Sequence, residues 1–267
     1  MNPLFATYSP IYNQSKNQAN ALNQVYKYLA KDFPDLNKTD CTSSFHDDLL
    51  VLNKNHGFLS DPDFQKAVGT YKDDSIVMSK IWRIYSYAQQ ASDAIRHGGN
   101  VVDLGCYDCK SIEIVLRYIR LKCNSLQSFQ KPKAFLFDAF ENPPTGEKQL
   151  HGPNLLKNVS ARLAYLETSF DLTFVKGYLP DTLSYQQLSI DKGSVGFAHI
   201  DLNNGKLDAH CFEYLYEKLR VGGSIIFDDY GFANYKETMI LVNKMAEKLK
   251  GSLLEMPTGQ GLFIKRI

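Results

Sequence analysis

"VVDLGCYDCKS", Val101 to Ser111, decides how the rest of the chain is read. It carries two competing signatures. Cys106 and Cys109 make a C-x-x-C, the spacing of dithiol redox loops and of half a zinc site. Asp103-Leu104-Gly105, just before it, is how a buried strand hands over to a cofactor-binding turn, with the glycine allowing close backbone approach. The flanking sequence separates the two. A zinc site asks for two further ligands at matching spacing, and the sequence has no second C-x-x-C. The five cysteines, Cys41, Cys106, Cys109, Cys123 and Cys211, are odd in number and thinly spread, unlike a secreted disulfide scaffold.

Outward from this turn the pattern alternates. "NVVDLG" is a short apolar run and "SIEIVLRYIRLKC" a helix. "KAFLFDAF", "FDLTFVKG", "VGFAHIDL" and "SIIFDD" read as further strands. Between them "NLLKNVSARLAYLE" and "LDAHCFEYLYEKL" read as helices, the latter stopping before "RVGG". "NYKETMILVNKMAEKLK" is a helix with Met239, Val242, Ala246 and Leu249 on one face. "SLLEMP" and "GLFIKRI" are strands joined by the tight turn "TGQG", which makes them antiparallel. Apolar strands separated by amphipathic helices specify an α/β fold, a doubly wound, mostly parallel sheet covered on both faces.

Upstream, Val77, Ile81, Ile84, Ala88, Ala91 and Ile95 form one stripe, predicting a single helix over 75–97 that ends at Gly98-Gly99. Asp61-Pro62 is a helix start. "NALNQVYKYLAKDF" predicts a short helix over 20–33, and "FPDLNKTDCTSS" a loop. The 267 residues therefore divide into a helical or lid-like extension, 1–75, and a main domain, 76–267.

Composition limits the function. Hydrophobic residues are 44%, enough for a sizeable core. Lys plus Arg is 30 against 29 for Asp plus Glu, so no basic excess points to nucleic acid. No apolar run approaches the ~18 residues of a membrane span. The N-terminus lacks a basic stretch followed by an apolar core, and the expected location is the cytoplasm.

In an open parallel sheet, ligands bind at the carboxyl ends of the strands. The strands end there on Asp103 and Gly105, Asp138, Gly177-Tyr178, Asp201 and Asp228-Asp229. So many acids at one rim require an opposing charge or donors. Asp201 and Asp228 stand 27 positions apart, about one β-α-β unit, so their strands are expected to be neighbours. Asp201, Asp228 and Asp229 then offer only oxygen ligands, which suits a hard divalent ion, Mg²⁺ or Mn²⁺. The helix start near Lys110-Ser111 can hold a carboxylate or phosphate, and Asp138 is placed for ribose hydroxyls. The loop is not G-x-G-x-x-G, which argues against a nicotinamide cofactor. His199 is read as a core residue facing away from Asp201, and Trp82 as core or interface. His56, His151 and His210 carry no spacing that assigns them.

With these residues in hand, the chain resembles class I S-adenosylmethionine-dependent methyltransferases, and within them the metal-dependent macrocin O-methyltransferase family, which methylates sugar hydroxyls. The resemblance runs from about Trp82 onward, through "WRIYSYAQQASDAI", "VVDLGCYDCKS", "LFDAFENPP", "FVKGYLPDTL", "FAHIDL", "LYEKLRVGGSIIFDDYG" and "PTGQGLFIK". It implies a Rossmann-like seven-stranded sheet with its last strand antiparallel. It implies that Asp103, Gly105 and Tyr107 line the methionine end of S-adenosylmethionine and that Ser111 holds its carboxylate. Asp138 would bind the ribose with Phe140 nearby, and Gly177 and Tyr178 would lie by the adenine. Asp201, Asp228 and Asp229 would hold the metal, with Asp201 also at the reaction centre. The implied partner is a small hydroxylated molecule, a sugar, glycosylated natural product or polysaccharide. Composition points to no nucleic acid or membrane, and the N-terminal region is expected to form a lid or a homo-oligomer contact. The rival acceptor is a catechol, since "DLGCYDCKS" also resembles the loop of catechol-type enzymes.

Two positions depart from the family. Cys109 replaces the usual second glycine. Where relatives carry a proton acceptor two or three residues after the first metal ligand, this chain has Asn203 and Asn204, neutral amides that cannot act as a base. A cofactor-binding relative with weak or no turnover is therefore the third reading.

Overall fold

The computed structural model describes residues 44–47, 49–51, 57–123, 131–142, 151–185 and 190–266, together with Gln24, Lys27, Tyr28 and Lys31. The helix expected over 20–33 lies outside them apart from those four residues, which are helical. The 33–44 loop (apart from Ser44), Cys41 and His56 also lie outside. The chain divides into two compact units, 1–86 and 87–267.

In the first unit, strands β1 (Ser44–His46) and β2 (Leu49–Val51) form a two-stranded antiparallel hairpin. Its turn residue Asp47 adopts a left-handed φ of 52° and is buried. The single helix predicted over 75–97 is two helices, Ser75–Ser79 and Ile81–Arg96, with the break at Lys80. The apolar stripe runs on across the break, so periodicity could not reveal it. The cause lies in long-range hydrogen bonding. Asp47 N–H donates to the Ser79 carbonyl at 2.9 Å, taking it out of the helical ladder. The Asp47 carboxylate then accepts from Trp82 N–H at 2.7 Å and pairs with Arg83 Nε at 2.9 Å, acting as a cap for the new helix. Asp61 caps the helix Pro62–Val68 as its sequence predicts, accepting from the backbone of Asp63 and Phe64. Trp82 is half-buried, its ring 4.2 Å from that of Phe58.

The second unit contains seven strands: β3 (Asn100–Leu104), β4 (Lys133–Asp138), β5 (Asp171–Lys176), β6 (Val195–Ile200), β7 (Leu219–Phe227), β8 (Leu253–Glu255) and β9 (Gly261–Ile264). They form one sheet in the order β5-β4-β3-β6-β7-β9-β8. β3 to β7 are parallel, and β9 pairs antiparallel with both β7 and β8. This is the Rossmann-like seven-stranded sheet with one reversed strand that the sequence led us to expect. The order turns back at β3, which lies between β4 and β6, and that switch point is where a parallel sheet opens a crevice.

The Ile81–Arg96 helix ends on Gly98 at φ 75°, where Gly98 N–H bonds Ile95 O and Gly99 N–H bonds Ala94 O. This double closure is the Schellman stop that the glycine pair announces. β7 starts at Leu219, ahead of the "SIIFDD" reading. Leu219 is buried and pairs with Val195, and Gly222 at φ 81° lets the strand bend before Ser224 resumes the ladder. The core between sheet and helices is built on Phe135, Phe137, Phe212, Phe227 and Phe263, with Phe212 stacked edge-on to Phe227 and Phe263 at about 5 Å.

Candidate active site

The turn after β3 is held by backbone alone at first. Gly105 N–H and Cys106 N–H both donate to the Phe137 carbonyl, at 2.9 and 3.2 Å. Gly105 has φ 85°, and a Cβ added there would lie 2.0 Å from the Asp201 carbonyl oxygen. The glycine therefore lets the ends of β3 and β6 meet. Tyr107 (φ 47°) and Cys109 (φ 57°) are also left-handed. Such conformations cost about 1–3 kcal/mol each and cluster at functional sites. Cys109 thus holds a left-handed backbone conformation that glycine adopts more readily.

The helix Lys110–Lys122 begins directly after Cys109, which gives no side-chain cap. Ser111 sits in its first turn, where backbone N–H groups favour an anion. Behind the loop, the buried Glu113 carboxylate accepts from Arg162 Nε at 2.7 Å and Tyr165 O–H at 3.1 Å. Arg162 also donates to the Asp108 carbonyl. The helix Leu155–Leu163 thereby pins the loop from outside. Both loop cysteines are buried thiols. Burial, aided by Cys109, pushes the Cys106 thiol well up. For Cys109, the hydrogen bond with Cys106 is outweighed by burial and by Asp103, and its pKa is also raised. Neither is a poised thiolate.

Asp138, at the end of β4, accepts from Tyr107 N–H at 2.8 Å, from Phe140 N–H at 2.8 Å and from His151 Nε2 at 3.0 Å. It ties the β3 turn to its own. Phe140 is buried at φ 50°, with its ring 6.4 Å from Phe174. Gly177, at φ 141°, bonds through its N–H to the Asp138 carbonyl and leaves no room for a Cβ beside Thr182. Tyr178 follows it and is 46% exposed, leaving its ring open to a ligand.

Asp201 follows β6, and Asp228-Asp229 follow β7. Asp201 N–H donates to Leu104 O and Asp228 N–H to Ile200 O, each at 2.9 Å, so the three strand ends are locked in register. One carboxylate oxygen from each of Asp201, Asp228 and Asp229 lies within 4.8 Å of the others. This all-oxygen set fits a hard divalent cation.

His199 overturns the expectation that it faces away from Asp201. Alternate residues of a strand share a face, so His199 and Asp201 belong on the same side. The buried imidazole places Nδ1 2.9 Å from Asp103 Oδ1 and Nε2 3.5 Å from Asp228 Oδ1. The Tyr87 ring stacks on it at 4.4 Å. Burial opposes its charge, but Asp103 and then Asp228 outweigh that and push its pKa up to about 10. A second residue missed in the sequence is Gln260, from the "TGQG" turn. It is buried and donates Nε2–H to Asp228 Oδ1 at 2.9 Å, while its own oxygen accepts from Thr258 at 3.1 Å.

Asn203 is left-handed at φ 54° and donates to Asp201 Oδ1 at 3.4 Å, and Asn204 caps the helix Gly205–Lys218 through Leu207 N–H. Of the neighbouring groups, Lys206 and His210 are exposed. Asp208 is 3% exposed, lies under Thr238 and is pushed up to about 7, chiefly by burial.

The fold is similar to that of several solved structures. The O-methyltransferase NovP is 17% identical, with a TM-score of 0.52, over 71% of this chain and 82% of its own. CalS11, a calicheamicin methyltransferase, is 12% identical with a TM-score of 0.55, over 97% of this chain and 98% of its own. The apo form of CalS11, described as a TDP-rhamnose 3'-O-methyltransferase, has a TM-score of 0.53 at 12% identity over 95% and 96%. No protein-family model and no curated protein sequence matches the chain. At these identities the likeness is one of fold.

Proposed function

We propose that the protein is a metal-dependent, S-adenosylmethionine-dependent O-methyltransferase whose acceptor is a hydroxyl of a sugar, glycosylated natural product or polysaccharide. The observation that carries this reading is the meeting of the Asp201, Asp228 and Asp229 carboxylates directly beside Gly105, at the switch point of the sheet. NovP and CalS11, both O-methyltransferases, share the fold, and CalS11 is described as acting on TDP-rhamnose.

S-adenosylmethionine would supply an electrophilic methyl group. A divalent ion would supply positive charge that favours loss of the acceptor's proton. The protein's own part is to bind and orient. Asp103, Gly105 and Tyr107 would line the methionine end, Asp103 from beneath since it is buried against His199, and Ser111 would hold its carboxylate. Asp138 and Phe140 would serve the ribose, and Gly177 and Tyr178 the adenine. Asp201, Asp228 and Asp229 would hold the ion. Much of the rate comes from such positioning. Asn203 and Asn204 take no proton, and Asp208 is closed off beneath Thr238, which leaves the exposed Lys206 and His210, or water, to receive the acceptor's proton.

The test is a methyl-transfer screen of sugar and catechol acceptors with and without Mg²⁺. Transfer to a sugar that stops with EDTA and in Asp228→Ala is expected. Full activity in EDTA would remove the metal role. Preference for a catechol would move the acceptor class. Binding of S-adenosylhomocysteine without turnover would favour the reading that Asn203 and Asn204 suggest, a relative that keeps the pocket without the base.

A further inference from the structure

His151 sits where no sequence pattern placed it. Asn142 clasps its backbone from both sides, donating Nδ2–H to the His151 carbonyl at 2.6 Å and accepting His151 N–H at 2.7 Å. The Tyr107 ring meets the imidazole edge-on at 5.2 Å. Nε2 lies 3.0 Å from Asp138 Oδ1, and both side chains are largely buried. Three separate contacts therefore fix the ring against the carboxylate expected to serve the ribose.

The ring's second nitrogen is not used. His151 Nδ1 is buried and has no hydrogen-bond partner among the described residues. A buried polar atom in that state is costly and calls for an outside partner. The Asp138 carboxylate only accepts, so Nε2 carries a proton toward it, while Nδ1 accepts in the neutral ring and donates in the charged one. A hydroxyl, which both donates and accepts, satisfies it in either state.

We infer that His151 is a nucleoside-binding residue, with Nδ1 hydrogen-bonded to a ribose hydroxyl beside Asp138. The inference rests on the methyltransferase reading and adds to it. Asp138 has both oxygens already engaged by backbone and imidazole, and His151 relays its recognition one ring outward.

Calorimetry on the full chain tests this with S-adenosylhomocysteine and its 2′-deoxy and 3′-deoxy forms. The wild type is expected to bind one deoxy form about tenfold more weakly, the value of one such hydrogen bond. His151→Ala should bind S-adenosylhomocysteine about tenfold more weakly and lose nothing further with that deoxy form. His151→Phe, which keeps the ring and removes both nitrogens, should lose as much as alanine. Equal wild-type affinity for all three ligands overturns the inference, even if neither variant folds. Unchanged or tighter binding by either variant also overturns it. A wild type that binds no S-adenosylhomocysteine at millimolar concentration overturns the cofactor assignment itself, which the other outcomes leave standing.

Discussion

His199 Nδ1 lies 2.9 Å from Asp103 Oδ1, so a buried imidazole on β6 is joined to the carboxylate that closes β3. Its other nitrogen faces Asp228. Removing one partner of a buried ionic network leaves uncompensated charge, at a cost of roughly 3–5 kcal/mol. His199→Ala is expected to lose about that much in urea denaturation without divalent ions. A loss under about 1 kcal/mol would show that the pair contributes little. The pH dependence has a definite sign. The folded pKa of about 10 exceeds the ordinary value of 6.5, so the contribution is full below that lower value and fades as pH rises toward 10. Melting temperature should therefore fall more steeply between pH 7 and pH 10 in the wild type than in His199→Asn. Parallel curves would refute this.

Gly105→Ala places a methyl group 2.0 Å from the backbone carbonyl oxygen of Asp201, at a left-handed φ. The neighbouring Asp201–Leu104 hydrogen bond holds the two strand ends together and opposes their separation. We expect a loss of several kcal/mol, on the order of 4 or more, read as a shifted urea midpoint. A midpoint within experimental error of the wild type would mean that the contact relaxes freely.

Gln260→Leu removes the side-chain amide that donates to Asp228 while roughly preserving volume. Partners that orient a metal ligand are typically worth about 10–100-fold in affinity. Mn²⁺ titration followed by electron paramagnetic resonance should show a weakening of about tenfold or more, with the melting temperature measured alongside. Unchanged Mn²⁺ affinity in the folded variant would dismiss the orienting role.

Cys106 and Cys109 should resist thiol reagents. Both are buried and their pKa values are raised, so the thiolate is scarce at neutral pH. Peptide mapping after brief alkylation at pH 8 should find both unlabelled in the native protein and labelled in urea. Rapid native labelling at either position would restore the dithiol reading of the C-x-x-C.

The sheet was legible because its strands are continuous apolar runs and its punctuation is strong: Gly98-Gly99, Gly105 and the "TGQG" turn each perform the local task their residue types suggest. The acids were legible for the same reason, since each stands at the carboxyl end of such a run. What escaped was whatever depends on residues far apart in sequence. The break at Lys80 is set by Asp47, across more than thirty positions, and leaves the apolar stripe intact. Gln260 and Asp228 meet only because β9 pairs with β7. His199 could have been found, since its two-residue offset from Asp201 already places the two on one face. His151 could not, because Asn142 holds it through backbone contacts that have no sequence signature.

The position of β9 inside the sheet, between β7 and β8, also constrains how the protein is made. It is the last of the described strands to be translated, yet β7 has an open edge until it arrives. During synthesis Asp228 therefore waits for Gln260, and the acidic cluster is the last part of the molecule to acquire its final shape. A chain interrupted before residue 257 would have most of its hydrophobic core, an acidic cluster without Gln260, and an unpaired strand free to join a neighbouring chain.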